Sequence, residues 1–365
     1  PVPGGPGPPR RVPPLVARPD QGGDAMNAPL LEVRDLHQHY TSRSGWLSRR
    51  SRTVPAVNGV SFAIDEGETL GLVGESGCGK STLARTLLFL EQPTAGEVLF
   101  RGEVLDQAAT VRLRRRAQIV FQDPYTSLPP RMRVGRILAE PFLIHRIGER
   151  ADIPERVADL LHDVGLGSDL ARVLPHELSG GQRQRVGIAR ALAVQPALII
   201  ADEAVSSLDV SVQAQILNLL KELQARHRLA YLFISHDIGV VKNMSHRIAV
   251  MYLGKIVELA DAEDLYERPL HPYTRALLSA VPSLARTGDT RIRLSGEPPD
   301  PAQPPPGCSF HPRCALAQPR CSVETPELHE WLPGRVAACH YALADLPPGQ
   351  APESPSQGAA EVERS

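Results

Sequence analysis

The chain has 365 residues, 42% of them apolar, and a formal charge of −1 from 40 basic and 41 acidic side chains. That length suits two or three domains and that apolar share suffices for a core, so the composition is that of a soluble globular protein. The near-neutral balance excludes an overall positive field of the kind that draws proteins to nucleic acid, and no apolar run approaches the roughly 18–20 residues of a membrane-spanning helix.

Residues 1–28 are rich in Pro, Gly and Arg and cannot build a core. They read as a disordered extension with no uninterrupted apolar stretch of the export-signal kind, and Met26 is a candidate true start. The chain is therefore expected in the cytosol. The first strand-like segment is Leu30-Leu31-Glu32-Val33, and from there to about residue 260 strands and helices alternate. Thr69-Leu70-Gly71-Leu72-Val73 reads as a buried strand, followed by Gly74-Glu75-Ser76-Gly77-Cys78-Gly79-Lys80-Ser81-Thr82 and then a helical pattern from Leu83. This fits the phosphate-binding pattern G-x-x-x-x-G-K-[ST] in its required strand–loop–helix setting. Glycines let successive N–H groups point at one phosphate, Lys80 neutralises the outer phosphates, and the Ser81 hydroxyl ligates Mg²⁺. Cys78 within the loop reads as a small packing residue. The Arg112, Arg114, Arg115 and Arg116 cluster reads as a solvated face.

About a hundred residues after the loop comes Leu178-Ser179-Gly180-Gly181-Gln182. Two further apolar runs, Ala197-Leu198-Ile199-Ile200-Ala201 and Ala230-Tyr231-Leu232-Phe233-Ile234, end in Asp202-Glu203 and Ser235-His236-Asp237. In a doubly wound sheet the strand C-termini form the ligand edge, which puts Asp202, Glu203 and His236 beside the phosphate loop. Asp202 suits Mg²⁺ and Glu203 suits polarising the attacking water.

In this order the motifs resemble the ATP-binding subunits of ABC transporters over residues 29–262. The resemblance implies an α/β fold: a P-loop NTPase ABC cassette with a RecA-like core, an antiparallel β subdomain and a helical subdomain. It implies that Tyr40 stacks on adenine and that Gln122, in Val120-Phe121-Gln122-Asp123-Pro124, touches Mg²⁺ and senses a membrane subunit. It further implies Asp202 as the Mg²⁺ carboxylate, Glu203 as general base, His236 at the γ-phosphate, and Asp209 in Ser207-Leu208-Asp209 crossing to a second subunit. Ser179, Gly180, Gly181 and Gln182 would cap the γ-phosphate held by the opposite subunit of a head-to-tail dimer. Ala204 departs from the family's usual proline, and Pro129 from an asparagine common in a related subset; neither removes a reacting group.

The wording of 121–132, of 208–217 and of His271-Pro272-Tyr273-Thr274-Arg275-Ala276-Leu277-Leu278 is similar to the oligopeptide/dipeptide importer branch. Asp123-Pro124-Tyr125 resembles the second of its two ATPase subunits. That implies a heterodimer, two permeases, an extracytoplasmic solute-binding protein, and a peripheral position on the cytoplasmic face of the membrane. Nickel or another small solute is the alternative cargo. A non-transport ABC ATPase working on nucleic acid or ribosomes is the alternative class, and it fits less well because such chains carry two cassettes, a coiled-coil insertion or a basic surface.

Residues 263–345 read as the C-terminal region of that branch, entered through the Pro-rich stretch 298–306, with a low-complexity tail at 346–365. Four of the five cysteines lie here: Cys308, Cys314, Cys321 and Cys339, separated by five, six and seventeen residues. Disulfides are improbable in a reducing cytosol. Four thiolates suit a [4Fe–4S] cluster or zinc; the absence of C-x-x-C disfavours a zinc ribbon, and the branch resemblance favours the cluster. Unligated thiols are the remaining reading. Nothing in the sequence brings this segment into contact with the phosphate loop, so the two are expected to act apart.

Overall fold

The computed structural model describes residues 28–43, 51–106, 110–123, 127–281, 292, 294 and 296–343. Met26, the N-terminal extension up to residue 27, Pro124-Tyr125 and the low-complexity tail lie outside the described residues.

The chain opens with β1 (Leu31–Arg43), β2 (Ser51–Ile64) and β3 (Thr69–Val73), which runs through the phosphate loop into α1 (Lys80–Leu87). β4 (Ala95–Phe100) and β5 (Glu103–Val104) precede α2 (Thr110–Arg116) and β6 (Ala117–Val120). The helices α3 (Val134–His145), α4 (Ile153–Asp163) and α5 (Gly180–Leu192) pack on one another before the chain returns to the sheet. β7 (Leu198–Asp202), α6 (Val210–His227), β8 (Ala230–Ser235), α7 (Ile238–Met244), β9 (Arg247–Tyr252) and β10 (Lys255–Asp261) follow. α8 (Ala262–Glu267), α9 (Pro272–Ser279), β11 (His329–Leu332) and β12 (Arg335–Ala337) complete it.

Two sheets result. Four antiparallel strands lie in the order β2-β1-β4-β5, and eight strands in the order β11-β12-β10-β9-β3-β8-β7-β6. Within the larger sheet β9, β3, β8, β7 and β6 are parallel, while β10, β12 and β11 extend it antiparallel. The last two strands therefore join the main sheet, β12 pairing with β10 through Glu258 opposite Ala337 and Leu259 opposite Val336.

The central strands are buried along their whole length because both faces are covered. Tyr231 and Phe233 of β8 enter a core shared with α3, α4, α5 and α6, whereas Leu232 and Ile234 enter one shared with the antiparallel strands and α1. Ile199 and Leu198 of β7 divide the same way. Period-two alternation thus survives inside runs that look uniformly apolar in sequence. The arginines of α2 point outward, as expected of a solvated face, and Arg112 pairs with Glu103 at 3.0 Å.

Candidate nucleotide site

The parallel strands β3, β7 and β8 end on one edge, and the loops leaving that edge carry the site. Between β3 and α1 the chain turns at Gly77 (φ 78°) and Gly79 (φ 110°), conformations that L side chains rarely adopt. A Cβ on Gly79 would lie 2.1 Å from the Ala56 carbonyl oxygen, so the loop's close seat against β2 requires glycine there. Lys80 is buried, and its Nζ donates to the carbonyls of Gly74 (2.8 Å) and Glu75 (3.0 Å). The cation expected to meet phosphate is thus held by its own loop. Cys78 is 5% exposed and burial pushes its thiol pKa up, as befits a packing residue.

The Ser81 hydroxyl donates to Asp202 Oδ1 at 3.0 Å, bringing together two groups 121 residues apart. Burial is the main force raising the Asp202 pKa; the Ser81 bond opposes it and the Glu203 charge adds to it. A hydroxyl and a buried carboxylate in contact are the hard oxygen donors that Mg²⁺ takes, so the pair fits that ion. Glu203 follows in the left-handed region (φ 49°), which costs a branched or long side chain about 1–2 kcal/mol. Its N–H donates to the Ile234 carbonyl at 3.0 Å, and its carboxylate lies 3.5 Å from His236 Nδ1. His236 remains more than half exposed, open to a ligand.

The other candidates spread around this edge. Tyr40 is part-exposed on β1, donates its hydroxyl to Glu91 and lies beside Thr82. Gln122 is exposed just past β6, with its carbonyl accepting from Ser207 Oγ at 3.4 Å. Asp209 is exposed at the N-cap of α6 and makes no side-chain capping bond there. Ser179 caps α5: its hydroxyl accepts from Gln182 N at 3.2 Å while Gln182 Oε1 accepts from Ser179 N at 2.9 Å. A Cβ on Gly180 or Gly181 would meet Leu208 or Val212, so this helix start packs toward α6.

The ABC transporter family model matches residues 57–206, and the model for the oligopeptide/dipeptide transporter C-terminal region matches 257–321. The chain is 51% identical over 318 residues to the oligopeptide transport ATP-binding protein AppF of Bacillus subtilis, covering 85% of this chain and 97% of that protein. It belongs to the ABC transporter ATP-binding subunits, in their oligopeptide/dipeptide branch. The di/tripeptide transport ATP-binding protein DppF of Pseudomonas aeruginosa is 48% identical over 86% of this chain and 98% of that protein. Among solved structures, cbiO1 of Clostridium perfringens has a TM-score of 0.56 at 26% identity, covering 66% of this chain and 91% of that one. A dimeric ATP-binding cassette bound to ADP and phosphate after hydrolysis has a TM-score of 0.55 at 29% identity, covering 64% of this chain and 98% of that one.

The C-terminal region of this ATPase cassette does not stand apart from the phosphate loop. Phe310, 2% exposed, sits 5.3 Å from the Tyr252 ring and 5.4 Å from the Tyr273 ring, centroid to centroid. Such aromatic pairs add about 0.5–1.5 kcal/mol each beyond area burial. Three residues on, Arg313 forms a forked ion pair with Glu75 of the loop, Nη1 to Oε2 at 2.7 Å and Nη2 to Oε1 at 2.9 Å. The Glu75 N–H donates to the Tyr273 hydroxyl at 2.8 Å. The expectation that the two segments act apart is therefore corrected. Arg313 and Tyr273 were missed because each lies about 200 or more residues from its partner, with no motif signalling the contact.

Cys308, Cys314, Cys321 and Cys339 do converge, lining one cavity of about 20 Å³ with His311 and His340. That is room for about one water. Burial raises the Cys308, Cys314 and Cys339 thiols, Cys339 to about 12, and the Cys321 thiol adds to the rise in all three. Among the described residues no group of three or more His, Cys, Asp or Glu is arranged to hold a metal ion. The comparisons lend the iron–sulfur expectation no support, and the side chains are not spaced to hold a metal as they stand; in its favour are only the four sulfur donors lining one cavity and their chemistry.

Proposed function

We propose that this cassette powers import of peptides through a separate membrane permease. The observation that carries this reading is near-full-length similarity, at about half identity, to ATP-binding proteins named for oligopeptide and di/tripeptide transport. The working unit would comprise a second ATP-binding subunit, two permeases and an extracytoplasmic solute-binding protein, with this chain peripheral on the cytoplasmic face. Among the described residues no helix is long and apolar enough to cross a membrane, and in this reading the two permeases supply the pathway for solute. The nearest organisation of the chain is the one the motifs suggest, a cassette over 29–262 followed by a branch-specific region.

In this reading Lys80 and the N–H groups of 74–82 bind the ATP phosphates, and Tyr40 stacks on adenine. Ser81, Asp202 and Gln122 would hold Mg²⁺, which when bound neutralises developing phosphate charge. Glu203 accepts a proton from the attacking water, and His236 orients toward the γ-phosphate. Ser179 to Gln182, with Asp209 nearby, serve the nucleotide of the facing subunit. When the chain is assembled with its partners in vesicles, di- or oligopeptide plus binding protein should raise ATP hydrolysis. Stimulation by nickel alone, with peptides inert, would overturn the choice of cargo.

We further propose the four cysteines as ligands of a [4Fe–4S] cluster, supported by their convergence and soft donor chemistry. Loading requires the thiols to part and lose their protons to the incoming metal, because the space between them has room for only about one water. Anaerobically purified protein should be brown and contain about four iron and four sulfide per chain. A colourless protein with stoichiometric zinc, or with neither metal, would reject the cluster.

A further inference from the structure

The phosphate loop contains one acidic residue, Glu75, within a segment built to receive a polyanion. A bare carboxylate there opposes ATP binding through charge repulsion. Its negative charge is met by Arg313, whose side chain is 5% exposed while that of Glu75 is 26% exposed. The fork geometry makes this a directed pair rather than a passing surface contact. Arg313 comes from the short turn His311–Arg313, flanked by Cys308 and Cys314, and Phe310 fixes that turn against Tyr252 and Tyr273. Arg313 Nη1 also reaches the Tyr252 hydroxyl at 3.5 Å.

We propose that Arg313 is a positioning residue of the ATP site: delivered by the cysteine-bearing turn, it neutralises Glu75 and holds the phosphate loop ready for nucleotide. The inference rests on the ATP-site reading above. Its consequence is that the cysteine segment bears on nucleotide affinity, so anything that displaces the turn is felt at the loop. Tyr273 assists by accepting the Glu75 N–H, which fixes the backbone orientation at the loop's second residue.

The test measures Mg·ATP affinity of the full-length chain and ATPase kinetics of the assembled transporter. Arg313→Met keeps the apolar stem and removes the charge. It is expected to raise the dissociation constant about tenfold, the effect of one uncompensated charge roughly 10 Å away at an effective dielectric near 20. In the transporter KM for ATP should rise with kcat nearly unchanged. Glu75→Gln alone leaves Arg313 as an unmatched cation and should lower the dissociation constant, by up to about tenfold, and Glu75→Gln/Arg313→Met should recover most of the affinity lost in Arg313→Met, because the repelling carboxylate is gone. Arg313→Lys keeps the charge without the fork and should also remain within about threefold; it carries the test if Arg313→Met fails to fold. Wild-type affinity in Arg313→Met, no recovery in the double variant, or a tenfold loss in Arg313→Lys would overturn the proposal. Lys80→Ala separates the two readings: it should lose ATP binding whatever Arg313 does, and wild-type binding by Lys80→Ala would bring down the ATP-site reading itself.

Discussion

Glu203→Gln is expected to lower ATP turnover of the assembled transporter by about 10²–10⁴-fold while leaving ATP binding close to wild type. The amide keeps the shape of the carboxylate and its seat at the end of β7, where the backbone N–H donates to Ile234. It cannot accept the proton of the attacking water. The left-handed backbone at Glu203 is retained, so the change is confined to proton transfer and not to the fold. Steady-state phosphate release and equilibrium ATP binding read the two quantities separately. Wild-type turnover in the purified variant would remove Glu203 from the role of base; equal loss of binding and turnover would mean it holds nucleotide instead.

Ser179→Arg is expected to cut hydrolysis at the facing subunit's site by about 100-fold or more, the scale seen when a transition-state donor is lost, with the chain's own ATP affinity nearly intact. Ser179 caps α5 and lies at a helix start whose glycines pack toward Leu208 and Val212. A long cation there replaces the hydroxyl and crowds the helix end. Losing the cap alone costs only about 1 kcal/mol, so Ser179→Ala serves as the control for local destabilisation. Mixed dimers carrying the change on one side assign the defect. Impaired binding at the mutated chain's own site, with the facing site normal, would reject the head-to-tail arrangement.

That Asp202, Glu203 and His236 gather at the edge that carries the phosphate loop was legible because it follows from short local patterns and one topological regularity. Buried apolar runs ending in polar residues announce parallel strands, and parallel strands deliver their C-termini to a common edge. The glycine spacing around Lys80 likewise reports a backbone requirement, since the tight seat against Ala56 leaves no room for a side chain. The pairing of Tyr40 with Glu91 was not legible: a surface tyrosine carries no sign of which acid it will meet.

By itself the sequence determined the family, the α/β order of elements and the position of the phosphate loop, because these are written in residues near one another along the chain. Only the tertiary structure decided that the four cysteines converge and that β12 closes onto β10. It alone decided that Arg313 grips Glu75 across 238 residues. The physical reason is that ion-pair choice and the docking of an irregular segment depend on which buried surfaces meet after folding, and neither leaves a period or a spacing in the sequence for a reader to find.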